Sequence, residues 1–232
     1  MYFNYKKTFS IVLLGIVDAN YNFLFVDVGC QGRISDGGVF SNSPIYNKLE
    51  RGELNIPAPE ILQVPYQVKI PYYLLGDQAF AMKEYCIRPF AGMHAADSME
   101  RGFNYRHSRA RRTVENAFGI LAKVFRVLAK PIDLEPPIAE KVVLAAVTLH
   151  NFRRRHTLYN YSNELLPTTN QESTLISEEL NDIPPPAAMI PLSGIPIRPT
   201  RAVQNIRTHL AQHFKYNDPL SYPLPQPQRT TT

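Results

Sequence analysis

Two apolar runs open the chain. Thr8 to Val17 (TFSIVLLGIV) and Phe23 to Val28 (FLFVDV) are rich in β-branched and aromatic residues, and the polar string Asp18-Ala19-Asn20-Tyr21-Asn22 separates them. Short apolar runs joined by turn residues predict a hairpin of two buried strands. Gly29 to Gly38 carries four glycines and reads as a loop. Val39 to Arg51 predicts a helix entered from Ser35-Asp36, with Ser43-Pro44 as a break within it. Leu54 to Lys69, punctuated by Pro57, Pro59 and Pro65, reads as an irregular connection. Tyr72 to Leu75 is a third strand ending at Gly76-Asp77, and Ala79 to Tyr85 a short helix or turn. Pro89, Gly92 and Gly102 make Arg88 to Tyr105 a predicted loop.

The clearest helical pattern lies between Ser108 and Leu128. There Val114, Phe118, Leu121, Phe125 and Leu128 recur at three- and four-residue steps and form one apolar stripe. Lys130-Pro131 ends it, because the residue before a proline is pushed out of the helical region. A second helix is expected from about Pro137 to Arg155, through Val142, Val143, Ala146, Leu149 and Phe152. Eleven of the twenty prolines fall after residue 166, which predicts a mostly irregular tail. Within that tail, Val203, Ile206, Leu210 and Phe214 are spaced for a short amphipathic helix near 201–214. The resulting division is a domain over 2–156 and a proline-rich tail over 157–232. Strands first, then an isolated strand, then helices, predicts a mixed α/β domain.

Composition narrows the class of protein. The chain has 232 residues, 44% of them apolar, enough for one ordinary core. The net charge of +5 permits a nucleic-acid partner without demanding one. Two cysteines, Cys30 and Cys86, stand apart from each other and from any His/Cys cluster. A disulfide framework is excluded and a zinc site is disfavoured, leaving two reduced thiols as the reading. The opening residues do not form a signal peptide, so secretion is not expected. Asp18, Asn20, Asn22 and Asp27 interrupt the run from Phe9 to Cys30, whose apolar pieces are too short to span ~30 Å of hydrocarbon as a helix. No membrane partner is expected.

Three acids and a basic cluster are the candidates for chemistry. Asp77 follows a short apolar strand and a glycine, so it sits at a strand's C-terminal end, where open α/β sheets build sites. The competing reading is an acid that starts the next turn or caps a helix at Ala79. Glu115 lies near the border of the apolar stripe and can point toward a neighbouring strand end. Alternatively, it is an exposed helical acid paired with Arg111 or Arg112. Asp36, in Ser35-Asp36-Gly37-Gly38, sits where glycines let backbone approach a ligand, or serves as a turn or N-cap residue. Arg101, Arg106, Arg109, Arg111 and Arg112 precede Glu115, which is the one acid after Arg101 in that stretch. Guanidinium groups bind phosphate bidentately, which suits a nuclease; a merely solvated helix face is the alternative. His150 and the many tyrosines read as packing residues rather than ligands.

Together these segments resemble one family. Phe9 to Phe40 (FSIVLLGIVDANYNFLFVDVGCQGRISDGGVF), Leu75 to Phe80 (LGDQAF), Arg109 to Phe125 (RARRTVENAFGILAKVF), Leu149-His150-Asn151 and the 203–214 segment are similar to parts of PIF/Harbinger-type DDE transposases and their host-domesticated nuclease relatives. The order and spacing of these segments carry the resemblance more than any one of them. It implies a ribonuclease H-like fold, a mixed sheet flanked by helices. It also implies a nuclease with a divalent metal cofactor, magnesium or manganese, held by two aspartates and a glutamate. Hard cations of this kind take oxygen ligands, and paired ions can activate water for phosphodiester hydrolysis. By this resemblance Asp77 is the second ligand and Glu115 the third. Asp36 matches a recurrent family aspartate, an added candidate for the metal. Arg106, Arg109, Arg111 and Arg112 are the expected contacts to the DNA backbone.

The family's first aspartate belongs to an Asp-Gly-x-His-like motif upstream of YFNYKK, whereas here Met1 precedes Tyr2. The expectation is therefore a first strand and one carboxylate missing, and impaired cleavage. A helix-turn-helix-like N-terminal region is missing as well. Two functions stay open: a metal-dependent DNA endonuclease of transposase ancestry, or a truncated or domesticated relative that binds DNA or protein without cutting. The family implies nuclear localisation, with cytoplasmic as the fallback, and a separate DNA-binding protein as a partner besides DNA.

Overall fold

A computed structural model describes residues 9–62, 68–163, 198–217 and 219. The chain divides into two compact units: Met1–Val39 with Arg112–Leu192, and Phe40–Arg111 with Ser193–Thr232. Helix α3, Met99–Val124, contributes residues to both. The described residues show the mixed α/β class expected from the sequence, with their strands grouped in three two-stranded sheets. None of their helices is long and apolar enough to cross a membrane. The expected irregular stretch at 164–197 lies outside the described residues.

In the first unit, β1 (Ile11–Val17) pairs antiparallel with β2 (Phe23–Gln31), from Ile11↔Gln31 to Val17↔Phe23. The turn between them is organised by Asp18, whose Oδ1 accepts the Asn20 and Asn22 N–H groups at 2.8 Å each. An Asp that bonds its own following backbone is a turn former, and it lets Tyr21 take a φ of 64°. Helix α1 (Asp36–Ser41) follows β2. After α3 come a short 3₁₀ helix, Arg126–Ala129, and α4, Pro136–Asn163. Helix α4 packs on β2. Phe23, Ala117, Leu121, Ala146 and Val147 form the core, and Phe118 meets Phe23 edge to face at 5.2 Å. Burying each large apolar side chain contributes about 1.5–3 kcal/mol. Gly29 has a φ of +114°, and a Cβ there would lie 2.6 Å from Glu140 Oε1. The positive φ is what calls for glycine there.

In the second unit, Ser43-Pro44 does more than interrupt a helix. Ser43 caps α2 (Pro44–Glu50), its Oγ accepting the Tyr46 N–H at 3.3 Å, with Pro44 in the first turn. Short strands β3 (Glu60–Ile61) and β4 (Lys69–Ile70) pair antiparallel, while β5 (Leu74–Leu75) and β6 (Cys86–Ile87) pair parallel. The stripe expected near 201–214 forms α5, Arg201–Tyr216, capped by Thr200. Its Val203, Leu210 and Ala211 join Ile70, Met82, Ile87 and Phe103 in one core. Arg207 of α5 donates to the Arg88 and Pro89 carbonyls and lies 4.0 Å over the Phe90 ring.

Helix α3 begins nine residues before the predicted Ser108, at Met99. The predicted loop therefore ends early. Ser98 supplies the start, its Oγ accepting the Arg101 N–H at 3.2 Å. Gly102 has nothing within 4 Å of where its Cβ would be, so its presence costs helix propensity without breaking the helix. Phe103 and His107, both buried, extend the apolar stripe backward.

Candidate functional site

Asp77 is positioned by the backbone pairing that precedes it. Leu74 N–H donates to the Tyr85 carbonyl at 2.8 Å and Gly76 N–H to the Ile87 carbonyl at 3.0 Å. The acid thus follows the C-terminal end of β5, as the sequence predicts. Gly76 is needed for that approach: a Cβ there would lie 2.8 Å from Cys86 Sγ and 3.2 Å from Phe80 Cβ. The Asp77 carboxylate also fills the turn role weighed against a catalytic one, since its Oδ1 accepts the Ala79 N–H at 2.8 Å. Its Oδ2 lies 3.7 Å from Arg111 Nη1, with 37% of the side chain exposed. At that distance and exposure the pair steers charge more than it stabilises the fold.

His107 locks α3 to the same strand pair. Its Nε2 lies 3.1 Å from the Ile87 carbonyl, the group that also accepts from Gly76. A carbonyl can only accept, so Nε2 carries the proton. Burial holds His107 below the ordinary histidine range, partly opposed by the Ile87 bond; Arg111 lowers it further and Asp77 raises it. Burial also pushes the Cys86 thiol up to about 12, and Asp77 adds to the rise. The Cys30 thiol is raised for the same reasons, burial first and then Asp27. Both cysteines are protonated and unreactive at neutral pH.

The arginines diverge in what they do. In the second unit the Arg106 guanidinium lies 5.0 Å over the Phe214 ring, Arg109 lies 5.8 Å over Tyr105, and Arg111 faces Asp77. Arg112, in the first unit, is exposed. Glu115 is exposed as well, on the side of α3 roughly opposite the buried Ala117 and Leu121. Asp36 opens α1 after Ser35, whose Oγ accepts the Gly38 N–H at 3.3 Å, and its charge suits the positive end of a helix.

Among the described residues, no three His, Cys, Asp or Glu side chains come together to hold a metal ion. Asp77 belongs to one unit, Asp36 and Glu115 to the other. Hard divalent cations take several oxygen ligands, which is the donor type all three acids offer.

His150 is a packed residue, as expected, and Asn151 beside it, read in the sequence only as part of Leu149-His150-Asn151, is a structural clamp. His150 Nε2 lies 2.8 Å from the Tyr21 carbonyl. Asn151 Oδ1 accepts the Phe23 N–H at 2.9 Å, and its Nδ2 donates to the Phe23 carbonyl at 2.8 Å. Asn104 repeats the arrangement in the second unit, gripping the N–H and carbonyl of Phe90 at 2.8 and 2.9 Å. In the sequence the Asn151 clamp shows only as an asparagine just after the apolar stripe of α4.

Burial also lowers His150, opposed by the Tyr21 bond and reinforced by Arg154 and Arg153. With folded values depressed, the unfolded chain takes up protons first as pH falls. The stability these residues contribute is full above the unfolded value of about 6.5 and declines below it, toward the folded values. The midpoint of thermal unfolding is therefore expected to drop as pH is lowered through that point. The drop should shrink when His107 and His150 are both replaced by glutamine. An unchanged slope in the double variant would show that other groups set the acid sensitivity.

A family model described as DDE superfamily endonuclease matches residues 1–151. Protein ALP1-like from Arabidopsis thaliana is 24% identical over 193 residues, which cover 76% of this chain and 46% of that protein. The chain thus spans less than half the length of this curated relative. No solved structure matches it. The matched region takes in β1, β2, the Asp77 turn, all of α3 and α4 as far as Asn151. On that match the chain belongs to the DDE superfamily endonuclease family.

Proposed function

We propose that this chain is part of a DNA endonuclease of Harbinger-type transposase ancestry that hydrolyses phosphodiester bonds with a divalent metal, magnesium or manganese. Asp77 and Glu115 each supply a carboxylate, and Arg106, Arg109, Arg111 and Arg112 contact the DNA backbone. Asp36 is the weaker candidate for the metal. The position of Asp77 carries this reading: a half-exposed acid after the end of a parallel strand, faced by a guanidinium, inside the region matched to an endonuclease family. The ribonuclease H-like arrangement, a nuclear location and a separate DNA-binding partner belong to the same proposal.

A two-metal carboxylate centre needs a further ligand beside Asp77 and Glu115. The arginines' part is simpler: fixed positive charge that holds phosphate and makes affinity fall with salt. The test incubates a labelled duplex with the chain and with the full product of its gene, each with and without magnesium or manganese. Metal-dependent cleavage by the full product, reduced at least about a hundredfold in Asp77→Asn, is the expected result. Cleavage by neither, or cleavage indifferent to Asp77→Asn, would overturn the proposal.

A further inference from the structure

The second unit contains a cavity of about 490 Å³ beside β5, between the first half of α3 and the end of α5. Its size falls in the range of ordinary small-ligand pockets. Four rings line it, Tyr73, Phe103, Tyr105 and Phe214. Among the described residues, Arg106 and Arg109 are the charged residues of its wall besides the titratable His107, and no acid lines it. The two guanidinium groups are already seated on ring faces, at 5.0 Å over Phe214 and 5.8 Å over Tyr105. Burial also raises Tyr73 above the ordinary tyrosine range, so its hydroxyl is neutral and adds no negative charge.

Flat apolar walls with cations alone among the fixed charges select a ligand that has a planar π face and an anionic group attached to it. A nucleotide has both. Bases stack on aromatic and guanidinium planes, and guanidinium groups grip phosphate. A paired base in a duplex is covered on both faces by its neighbours and cannot present itself to such walls, whereas an unpaired one can. Leu75, in the cavity wall, lies two residues before Asp77.

We infer that this cavity takes an unpaired nucleotide of the DNA strand the protein acts on, with its base against the tyrosine faces and its phosphate on Arg106 and Arg109. This rests on the reading of the protein as a DNA endonuclease. It adds that the DNA is engaged at a single-stranded end or an extruded base.

The test compares binding of a blunt labelled duplex with the same duplex carrying a short single-stranded 3′ overhang, with deoxyadenosine monophosphate as competitor. The full chain is expected to bind the overhang form about tenfold more tightly. Tyr105→Ala should abolish that preference while duplex binding persists, and Tyr105→Phe should restore it, which a general loss of folding would not do. Equal binding of the two duplexes overturns the cavity assignment but leaves the endonuclease reading standing. Displacement by the free mononucleotide at concentrations matching the overhang's affinity would make the cavity a nucleotide site and overturn the strand assignment. Failure to bind either duplex overturns both.

Discussion

Truncating Phe103 to alanine is expected to cost about 3–5 kcal/mol of stability. The side chain is 2% exposed and sits at the centre of the second unit's core. It meets Phe90 edge to face at 5.4 Å, stacks on Phe214 at 6.1 Å and lies 5.8 Å from the His107 ring. Phe90 and Phe214 lie on segments more than a hundred residues apart in the chain, so one ring joins α3, the loop before it and α5. Removing it leaves a void lined by rings that are tied elsewhere, Phe90 by Asn104 and Arg207, Phe214 by Arg106. Such walls collapse poorly, which places the cost at the upper end of large-to-small changes. Urea unfolding of the variant measures it. A loss under about 1 kcal/mol would mean that α5 does not pack as described.

Asn151→Ala is the second large effect, about 2–4 kcal/mol, because one truncation strands both backbone groups of Phe23. Those groups are bonded at 2.9 and 2.8 Å by the asparagine, and Phe23 is 5% exposed. Water cannot readily take over as partner. For a chain of this length that corresponds to a fall of roughly 4–16 °C in unfolding midpoint. Asn151→Asp separates the hydrogen bonds from simple volume. The carboxylate still accepts the Phe23 N–H but presents an oxygen to the Phe23 carbonyl, so it should fail almost as badly as alanine. If aspartate were tolerated, the bond to the Phe23 carbonyl would carry little of the stability.

The parts of the fold that local chemistry dictates were legible in the sequence. The hairpin follows from two apolar runs and the turn residues from Asp18, the break between α1 and α2 from Ser43-Pro44, and α5 from the spacing of Val203, Ile206, Leu210 and Phe214. The start of α3 was hidden because Gly102 reads as a loop residue, and because the arginine-rich stretch from Ser108 to Thr113 separates Phe103 and His107 from the apolar stripe. Strands β3, β4 and β6 are two residues each, too short for any periodicity to register, while β5 occupies the last two residues of the strand expected over Tyr72 to Leu75. Contacts between distant segments leave no mark on local pattern. The placement of α5 against Ile87 and Phe103, and the asparagine clamps, therefore emerge only in three dimensions. The same holds at the site. That Asp77 ends a strand was readable from Leu75-Gly76-Asp77. Its bond to Ala79 and its facing Arg111 had to be seen, as did the aromatic cavity, whose tyrosines read as packing alone.

The central claim, an endonuclease whose carboxylates act on DNA held by arginines, is tested most directly by measuring cleavage and binding together for Glu115→Gln in the full gene product. Glutamine keeps the size and hydrogen-bonding shape of the exposed Glu115, so the replacement should leave the fold and duplex affinity intact. The account predicts unchanged binding with metal-dependent cleavage lowered at least about a hundredfold. Undiminished cleavage by Glu115→Gln would contradict it.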